Sequence, residues 1–352
     1  MTQSGDAETS IAANCDNGDP VDALAGRTAS GIGSWPGTDA LEAARFVIGE
    51  LGREPGVPFL PELPARGPGA DMVGRAAAML VGLHVDLQPS GWRLVSHPGR
   101  DEQRAQAWWR HDLDALAEAA HGYQGPLKAA VTGAWTLLSH VNLERGERAV
   151  SDPGAQRDIV ESLAEGIATM LADITRAVPG ASLIVQLDEP SLPAVLAGRL
   201  TTQSGIGKLR PVPPAQAQAG LTTLADAARD AGAVHVLAHC CAATAPVGLL
   251  REAGLDGISL DLATLGPASW ESVAASVESG VRLWAGIDPT RQRIDQTPLP
   301  QWWQRLGLPR HALNEVFLTP ACGLANSATA QAAAAVGRLL TLAGQLHELS
   351  TE

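Results

Sequence analysis

Basic residues, cysteines and long apolar runs are all scarce in this sequence of 352 residues. No apolar run reaches the roughly 18 residues that a membrane-spanning helix needs. Lysine and arginine together number 25 against 38 aspartates and glutamates, which gives a formal charge of −13 and a pI of about 5.1. Such an acidic balance does not fit nucleic-acid binding, which depends on clustered positive charge. We therefore expect neither a membrane span nor a nucleic-acid partner.

The four cysteines are too few for a disulfide framework in a chain of this length. Residues 1–20 are polar and acidic, and they lack the basic start and apolar core of a signal peptide. Both features predict a cytoplasmic protein in a reducing compartment. We predict that residues 1–26, which include Cys15, form a disordered leader and that residues 27–352 form one domain.

From Leu127 onward, short apolar runs alternate with helical patterns, as in parallel βαβ units. Hydrophobic residues make up 45% of the chain, enough for a large core, and the length suits one α/β barrel. We therefore predict an α/β fold, a (β/α)8 TIM barrel over residues 27–352. An open, doubly wound sheet is the alternative. It would favour a phosphate-binding fingerprint, but the third glycine is missing after Gly31-Ile32-Gly33.

Polar residues follow the ends of the predicted strands. In a (β/α)8 barrel those ends converge on one face, where active sites lie. The residues in question are Ser34, Thr132, Asp188, His239, Cys241, Asp261, Asp288 and Cys322.

Two of these strand ends carry side chains suited to a metal. The apolar run 234–238 leads into His239-Cys240-Cys241, and a second apolar run precedes Cys322. Catalytic zinc commonly takes three protein ligands and leaves one position for substrate, and His239, Cys241 and Cys322 suit that arrangement. The alternative is that these are ordinary buried cysteines, which are common in proteins.

Two further segments carry polar groups at strand ends. The glycines of the loop 31–37 let backbone N–H groups approach an anion, and Ser34 adds a hydroxyl. A plain turn between a strand and a helix explains the same pattern. Asp188 and Glu189 come at a strand's end before a proline, where they indicate either a polar site or the capping of a helix.

Six segments in order give this chain a resemblance to a known family. They are Gly31-Ile32-Gly33-Ser34-Trp35-Pro36, Val131-Thr132-Gly133-Ala134-Trp135-Thr136-Leu137-Leu138, Gln186-Leu187-Asp188-Glu189-Pro190, Ala238-His239-Cys240-Cys241, Ile258-Ser259-Leu260-Asp261 and Pro320-Ala321-Cys322-Gly323-Leu324. Together they resemble the catalytic half of cobalamin-independent methionine synthase, whose barrel is of the uroporphyrinogen-decarboxylase and methionine-synthase type. The second, N-terminal barrel of the full-length synthase is absent from this sequence. In this respect the chain is similar to the short core forms and to related zinc alkyltransferases.

The resemblance implies a bound Zn²⁺ ion that makes a substrate thiol into a nucleophile. A divalent cation deprotonates a coordinating thiol that is otherwise mostly protonated at neutral pH. His239, Cys241 and Cys322 match the zinc ligands of the family. Asp261 stands where the family often carries a glutamate ligand.

The resemblance also implies the substrates. Asp188 matches the active-site acid that holds the amino group of homocysteine, and Ile32 and Ser34 match the loop that holds its carboxylate. The implied activity is zinc-dependent transfer of a methyl or alkyl group to a small-molecule thiol, with homocysteine the first choice. The implied donor is a methyl-folate or a methylcorrinoid protein.

The sequence departs from the family at three positions. The family has a second amine-binding glutamate, and counting back from Asp71 places Arg66 nearest to it, whereas Glu62 could substitute only through a different loop path. His140 replaces an aromatic residue that faces the folate, and residues 286–293 lack the family's proton-donating histidine. An arginine at position 66 could instead bind the carboxylate or sulfonate of another acceptor.

Three other functions stay open at this point. The first is zinc-dependent alkylation of a different thiol. The second is a decarboxylase of the uroporphyrinogen type, which shares the barrel and needs no metal. The third is a non-catalytic zinc-binding protein that has kept the fold, which the missing proton donor favours.

Overall fold

Eight parallel strands form one curved sheet in the computed structural model, which describes residues 22–351. Two further strands form an antiparallel hairpin outside it. In chain order the ten strands are β1 (Ala29–Ser30), β2 (Gly56–Val57), β3 (His84–Gln88), β4 (Gly91–Val95), β5 (Gly125–Thr132), β6 (Ala181–Asp188), β7 (His235–Cys240), β8 (Gly257–Asp261), β9 (Arg282–Ile287) and β10 (Phe317–Pro320). The hairpin consists of β3 and β4, and the other eight strands form the sheet.

The sheet closes into a barrel where its two edge strands meet. The order of the strands is β2-β1-β10-β9-β8-β7-β6-β5. Just beyond β2, the N–H of Leu60 donates to the carbonyl of Lys128 over 2.8 Å, and the N–H of Lys128 donates to the carbonyl of Pro58 over 2.9 Å. These two bonds join β2 to β5. The predicted (β/α)8 barrel is therefore confirmed, and the open sheet is excluded.

Helices follow the strands and surround the barrel. They are α1 (Ala40–Leu51), α2 (Met72–Ala77), α3 (Arg100–Ala119), α4 (Ala134–His140), α5 (Pro153–Ala177), α6 (Leu192–Leu196), α7 (Pro214–Asp230), α8 (Val247–Glu252), α9 (Pro267–Glu278), α10 (Pro298–Arg305) and α11 (Thr329–Thr351). Local sequence explains several starts: Asp39 accepts a hydrogen bond from the N–H of Glu42 at the start of α1, and Pro153 opens α5. Within residues 22–351, no helix has the length and apolarity to cross a membrane.

The amino-terminal end of the barrel interior is filled by apolar side chains, which we call the floor cluster. Its members are Leu24, Val57, Ile184, Leu237, Trp284 and Phe317, all buried. The rings of Trp284 and Phe317 stack with centroids 4.2 Å apart. Because the floor is closed by packing, a substrate can reach the interior only from the carboxyl ends of the strands.

Leu24 belongs to the segment that the sequence predicts as a disordered leader. The structure instead places Asp22–Leu24 in a 3₁₀ turn, with the Leu24 side chain 3% exposed in the floor cluster. The reason is that an apolar side chain is needed to cover the open end of the barrel. Residues 1–21 of the predicted leader, including Cys15, lie outside the described residues.

Candidate active site

Three side chains predicted as metal ligands come together at the carboxyl ends of β7 and β10. Cys322, just after β10, lies close enough to Cys241 and His239 for both to lower the pKa of its thiol. The ring nitrogen Nδ1 of His239 is held from β8, where Ser259 Oγ lies 3.0 Å from it. Packing of neighbouring parallel strands thus brings an imidazole and two thiols, far apart in sequence, into one group.

The two thiols differ in charge because they share a hydrogen bond. The pKa of Cys322 is lowered to about 4, chiefly because Cys241 and also His239 hydrogen-bond to its sulfur. The pKa of Cys241 is raised by the same contact and by burial. The contact between the two sulfurs therefore favours the thiolate form of Cys322, and thiolates are the form in which cysteines bind metals.

The arrangement fits zinc by its donor chemistry, although the groups are not set in metal-binding geometry. Within residues 22–351, no group of three or more His, Cys, Asp or Glu side chains is positioned to hold a metal ion. One imidazole, with its second nitrogen held by a hydroxyl, and two thiols form a donor set typical of zinc. Asp261 uses Oδ1 to accept a hydrogen bond from the N–H of Ala263 over 3.0 Å. Its role as a fourth ligand stays a prediction.

The glycine loop lies directly beside Cys322. The N–H of Leu324 donates to the carbonyl of Ser34 over 3.0 Å, and a Cβ atom on Gly323 would overlap Ser34 Oγ. On the other side, a Cβ atom on Gly33 would come within 3.2 Å of the Ala130 side chain. These close approaches need glycine, and they place the Ser34 hydroxyl next to the thiol group.

Glu62 reaches the site from the loop after β2, which corrects the prediction that Arg66 takes this place. The N–H of Glu62 donates to the carbonyl of Gly33 over 3.0 Å, and its own carbonyl accepts from the N–H of Trp35 over 2.8 Å. The side chain is 4% exposed, and Oε2 lies 3.9 Å from where a Gly33 Cβ atom would be. The loop therefore takes the different path that Glu62 requires.

Arg66 points away from the site. The short 3₁₀ helix Pro64–Arg66 turns its side chain toward α3, where Arg66 forms a 2.7 Å ion pair with Asp112 and lies over the ring of Trp108. The side chain is 3% exposed. A guanidinium committed to a buried carboxylate is not free to bind a substrate, so Arg66 leaves the predicted set.

Asp188 and Glu189 have different roles. Both interpretations of the pair apply, because Glu189 caps a helix and Asp188 faces a polar site. Glu189 accepts hydrogen bonds from the N–H groups of Trp135 (3.0 Å) and Thr136 (2.8 Å) at the start of α4. Asp188 faces the barrel interior, where Oδ1 accepts a 2.7 Å hydrogen bond from Nε2 of Gln186. Because side chains alternate along a strand, only one of the two acids can face inward.

Asp188 and Glu62 form a carboxylate pair within the site. Burial raises the pKa of Glu62 to about 7, and the charge of Asp188 adds to that rise while Arg75 opposes it. Burial likewise raises the pKa of Asp188, and nearby His239 is the largest opposing influence. A cation that enters between the two carboxylates would relieve both burial and repulsion.

The other polar strand ends hold loops. Thr132 donates to the carbonyl of Met72 over 2.6 Å, and Asp288 accepts from Thr290 Oγ1 over 2.7 Å. His140, at the end of α4, uses its Nδ1 in a 2.9 Å contact with the carbonyl of Thr136.

The sequence reading missed Lys128, which lies fully buried beneath the site. The available signal was a lysine in the middle of an apolar strand.

Comparisons with known proteins agree with this arrangement. The sequence model of the family described as "Cobalamin-independent synthase, Catalytic domain" matches residues 27–345. A solved B12-independent methionine synthase from Shewanella sp. W3-18-1, in complex with selenomethionine, has the same fold, with a TM-score of 0.57 and 12% sequence identity over 91% of this chain and 98% of that one. No curated protein sequence matches the chain. The chain therefore belongs to the cobalamin-independent synthase family, as its catalytic domain, and is a methyltransferase of the methionine-synthase type.

Proposed function

We propose that this protein transfers a methyl group to the thiol of homocysteine, held by a zinc ion. The observation that carries the proposal is the meeting of three groups at one end of the barrel. The His239–Cys241–Cys322 group, the Ser34 loop and the Glu62–Asp188 pair lie around a common interior space. An amino-acid thiol offers a sulfur, a carboxylate and an ammonium, one for each group.

The ammonium of the acceptor would lie between Glu62 and Asp188. Both carboxylates are more than nine-tenths buried; burial raises both pKa values, and the charge of Asp188 adds to the rise at Glu62. A bound ammonium would favour the charged form of both acids. The sequence reading expected a single carboxylate here, and the arrival of Glu62 strengthens the case for an amino-acid acceptor over another thiol.

The carboxylate of the acceptor would lie against the loop 31–34. Backbone N–H groups of a glycine loop and the Ser34 hydroxyl supply hydrogen bonds to an anion. The hydroxyl lies against Gly323, next to Cys322, so the carboxylate and the sulfur of one small molecule can both be held. This proximity supports the proposal that Ile32 and Ser34 belong to the acceptor site.

His239, Cys241 and Cys322 would hold the zinc ion, and Asp261 would be the fourth ligand after release of the Ala263 N–H. When bound, zinc would lower the pKa of the acceptor thiol, so that the sulfur attacks as a thiolate. The side chains of this chain bind and orient the acceptor. Ser259 keeps the His239 ring in one orientation through the 3.0 Å contact at Nδ1.

For the methyl donor we propose a methyl-folate. A methylcorrinoid protein, the second donor suggested by the sequence, has no support in a family described as cobalamin-independent. The cytoplasmic location suggested by the sequence remains a prediction.

Metal analysis with a thiol panel tests the proposal. Purified protein should hold about one zinc per chain, and titration with homocysteine should add a zinc–sulfur contact visible by X-ray absorption. Three other thiols complete the panel: cysteine is one methylene shorter, 4-mercaptobutanoate lacks only the amino group, and 2-mercaptoethanesulfonate lacks the amino group and carries a sulfonate in place of the carboxylate. Zinc without any response to homocysteine, together with a response to another thiol, would refute homocysteine as acceptor and keep the zinc–thiolate chemistry. Absence of zinc under reducing, chelator-free conditions would refute both.

A further inference from the structure

Lys128 lies inside the barrel between the floor cluster and the site. Its side chain is 0% exposed. The nitrogen Nζ donates to the carbonyl of Ile32 over 2.7 Å and to Oε1 of Gln186. The rings of Phe59 and Trp284 lie 5.9 Å and 5.8 Å from it. The nitrogen is thus enclosed on all of these sides by protein.

Packing alone does not account for a lysine at this position. Lysine is almost never fully buried unless it is paired, and a buried charge is costly. Burial lowers the pKa of Lys128 to about 7, while the charges of Asp188 and Glu62 oppose that change. A methionine would fill similar space with no polar atom, so the nitrogen itself needs an explanation.

The hydrogen bonds of Lys128 give the Gln186 amide one orientation. The lysine nitrogen donates in this contact, so the amide atom that faces it is the carbonyl oxygen Oε1. The amide nitrogen Nε2 then faces the other way, where it donates to Asp188 Oδ1 over 2.7 Å and to the carbonyl of Ile32 over 3.0 Å. An inverted amide would set its oxygen against a carboxylate, which is repulsive.

The two partners of this network carry the two ends of the acceptor site. Ile32 belongs to the loop proposed for the carboxylate, and Asp188 is proposed for the ammonium. The geometry points to Lys128 as a positioning residue of the acceptor site, which holds the Ile32 carbonyl directly and the Asp188 carboxylate through Gln186. This role rests on the proposed function.

Four variants test the link: Lys128→Met, Gln186→Met, their double variant and Lys208→Met. Lys208 is the only other lysine in the sequence and is exposed, which makes it the matched control. For Lys128→Met we expect homocysteine to bind about tenfold more weakly or worse, the effect of one charged hydrogen bond. The KM for homocysteine should rise while kcat at saturation changes little. Lys208→Met should stay within about twofold of the wild type, because its side chain is exposed and takes no part in the Lys128–Gln186–Asp188 network.

The double variant separates positioning from packing. Because the link from Lys128 to Asp188 runs through Gln186, the double variant should lose less affinity than the product of the two single losses, whereas independent effects would multiply. Multiplying effects, or unchanged binding in a Lys128→Met protein that unfolds cooperatively, would overturn the role. If Lys128→Met does not fold, Gln186→Met decides the question in the same way.

A ligand-free measurement keeps this role distinct from the proposed function. Wild-type protein that binds no homocysteine would refute the proposed function alone. The crystal structure of ligand-free Lys128→Met then tests the link, or that of Gln186→Met if the first variant does not fold. We expect the Asp188 carboxylate or, in Lys128→Met, the Gln186 side chain to change position. Unchanged positions would overturn the role.

Discussion

The two ends of the barrel interior are built from opposite kinds of side chain. The floor cluster is apolar and stacked, with Trp284 on Phe317 at 4.2 Å, and it contains Leu24 from the start of the described chain. The site end carries buried ionisable groups, among them Glu62 and Asp188, whose pKa values are shifted by burial. The floor gains free energy from burial, while the site end spends some of it.

This contrast separates stability from function along one barrel axis. Hydrophobic packing at the floor is non-directional and favours folding. The site end keeps charges out of water in fixed positions, which costs stability and prepares the site for a charged ligand. Substitutions at the floor should therefore mainly lower the free energy of unfolding, whereas substitutions at the site end should mainly weaken ligand or metal binding.

The largest effect is expected for the cysteines proposed as zinc ligands at the site end. Cys322→Ser should lower zinc affinity by about two orders of magnitude or more and abolish methyl transfer, because even outer-shell changes cost 10–100-fold. Metal content after gel filtration and a turnover assay would measure this. Cys240→Ser is the matched control, since Cys240 is buried in the core on the opposite face of β7. Equal zinc loss in the control would show that the wrong thiol of the pair has been assigned.

At the floor, Phe317→Ala should lower the free energy of unfolding by about 3–5 kcal/mol, the usual cost of emptying a buried aromatic site. Homocysteine affinity should be nearly unchanged, because Phe317 lies one interior layer below the site. Urea denaturation and calorimetry would give the two quantities. A variant that loses affinity as much as stability would show that the two ends are not separable.

For the acceptor, Asp188→Asn should weaken homocysteine binding by about 2–5 kcal/mol, since the ammonium would lose a buried partner. Glu62→Gln should act in the same direction. The test thiol 4-mercaptobutanoate, which lacks the amino group, should be nearly insensitive to both changes. If this thiol lost as much affinity as homocysteine, the carboxylates would not be binding an ammonium.

The pH dependence of stability should also reveal the site end. The pKa of Glu62 is raised from 4.5 to about 7, so between these values the folded protein binds more protons than the unfolded chain. Stability should therefore fall as pH rises through this window, by about 3 kcal/mol from this group. Glu62→Gln should flatten that part of the curve, measured by denaturation at a series of pH values. An equally steep fall in the variant would assign the slope to other groups.

The sequence predicted the strands and helices from β5 onward well. Helices α1 and α5 start where local sequence signals mark a helix start, at a capping Asp39 and an initial Pro153. The strands from β5 onward follow the predicted apolar runs. The resemblance then named His239, Cys241 and Cys322, which the structure brings close together.

The sequence did not predict two features of the site, because both depend on the path of the chain in three dimensions. Counting back from Asp71 selected Arg66, but the turn Pro64–Arg66 adds length to the loop, so that Glu62 reaches the site instead. Lys128 was passed over because an apolar run hides a polar residue whose partners, Ile32 and Gln186, are far away in sequence.

The sequence by itself determined the alternation of strands and helices, the capped helix starts and the residue types available at the strand ends. These features depend on local propensity and spacing. Tertiary structure alone decided that Asp188 faces inward while Glu189 holds α4, because alternation puts neighbours on opposite faces without saying which face is the interior. It also decided which glutamate and which lysine meet at the site, since closure of the barrel brings together residues that no local pattern connects.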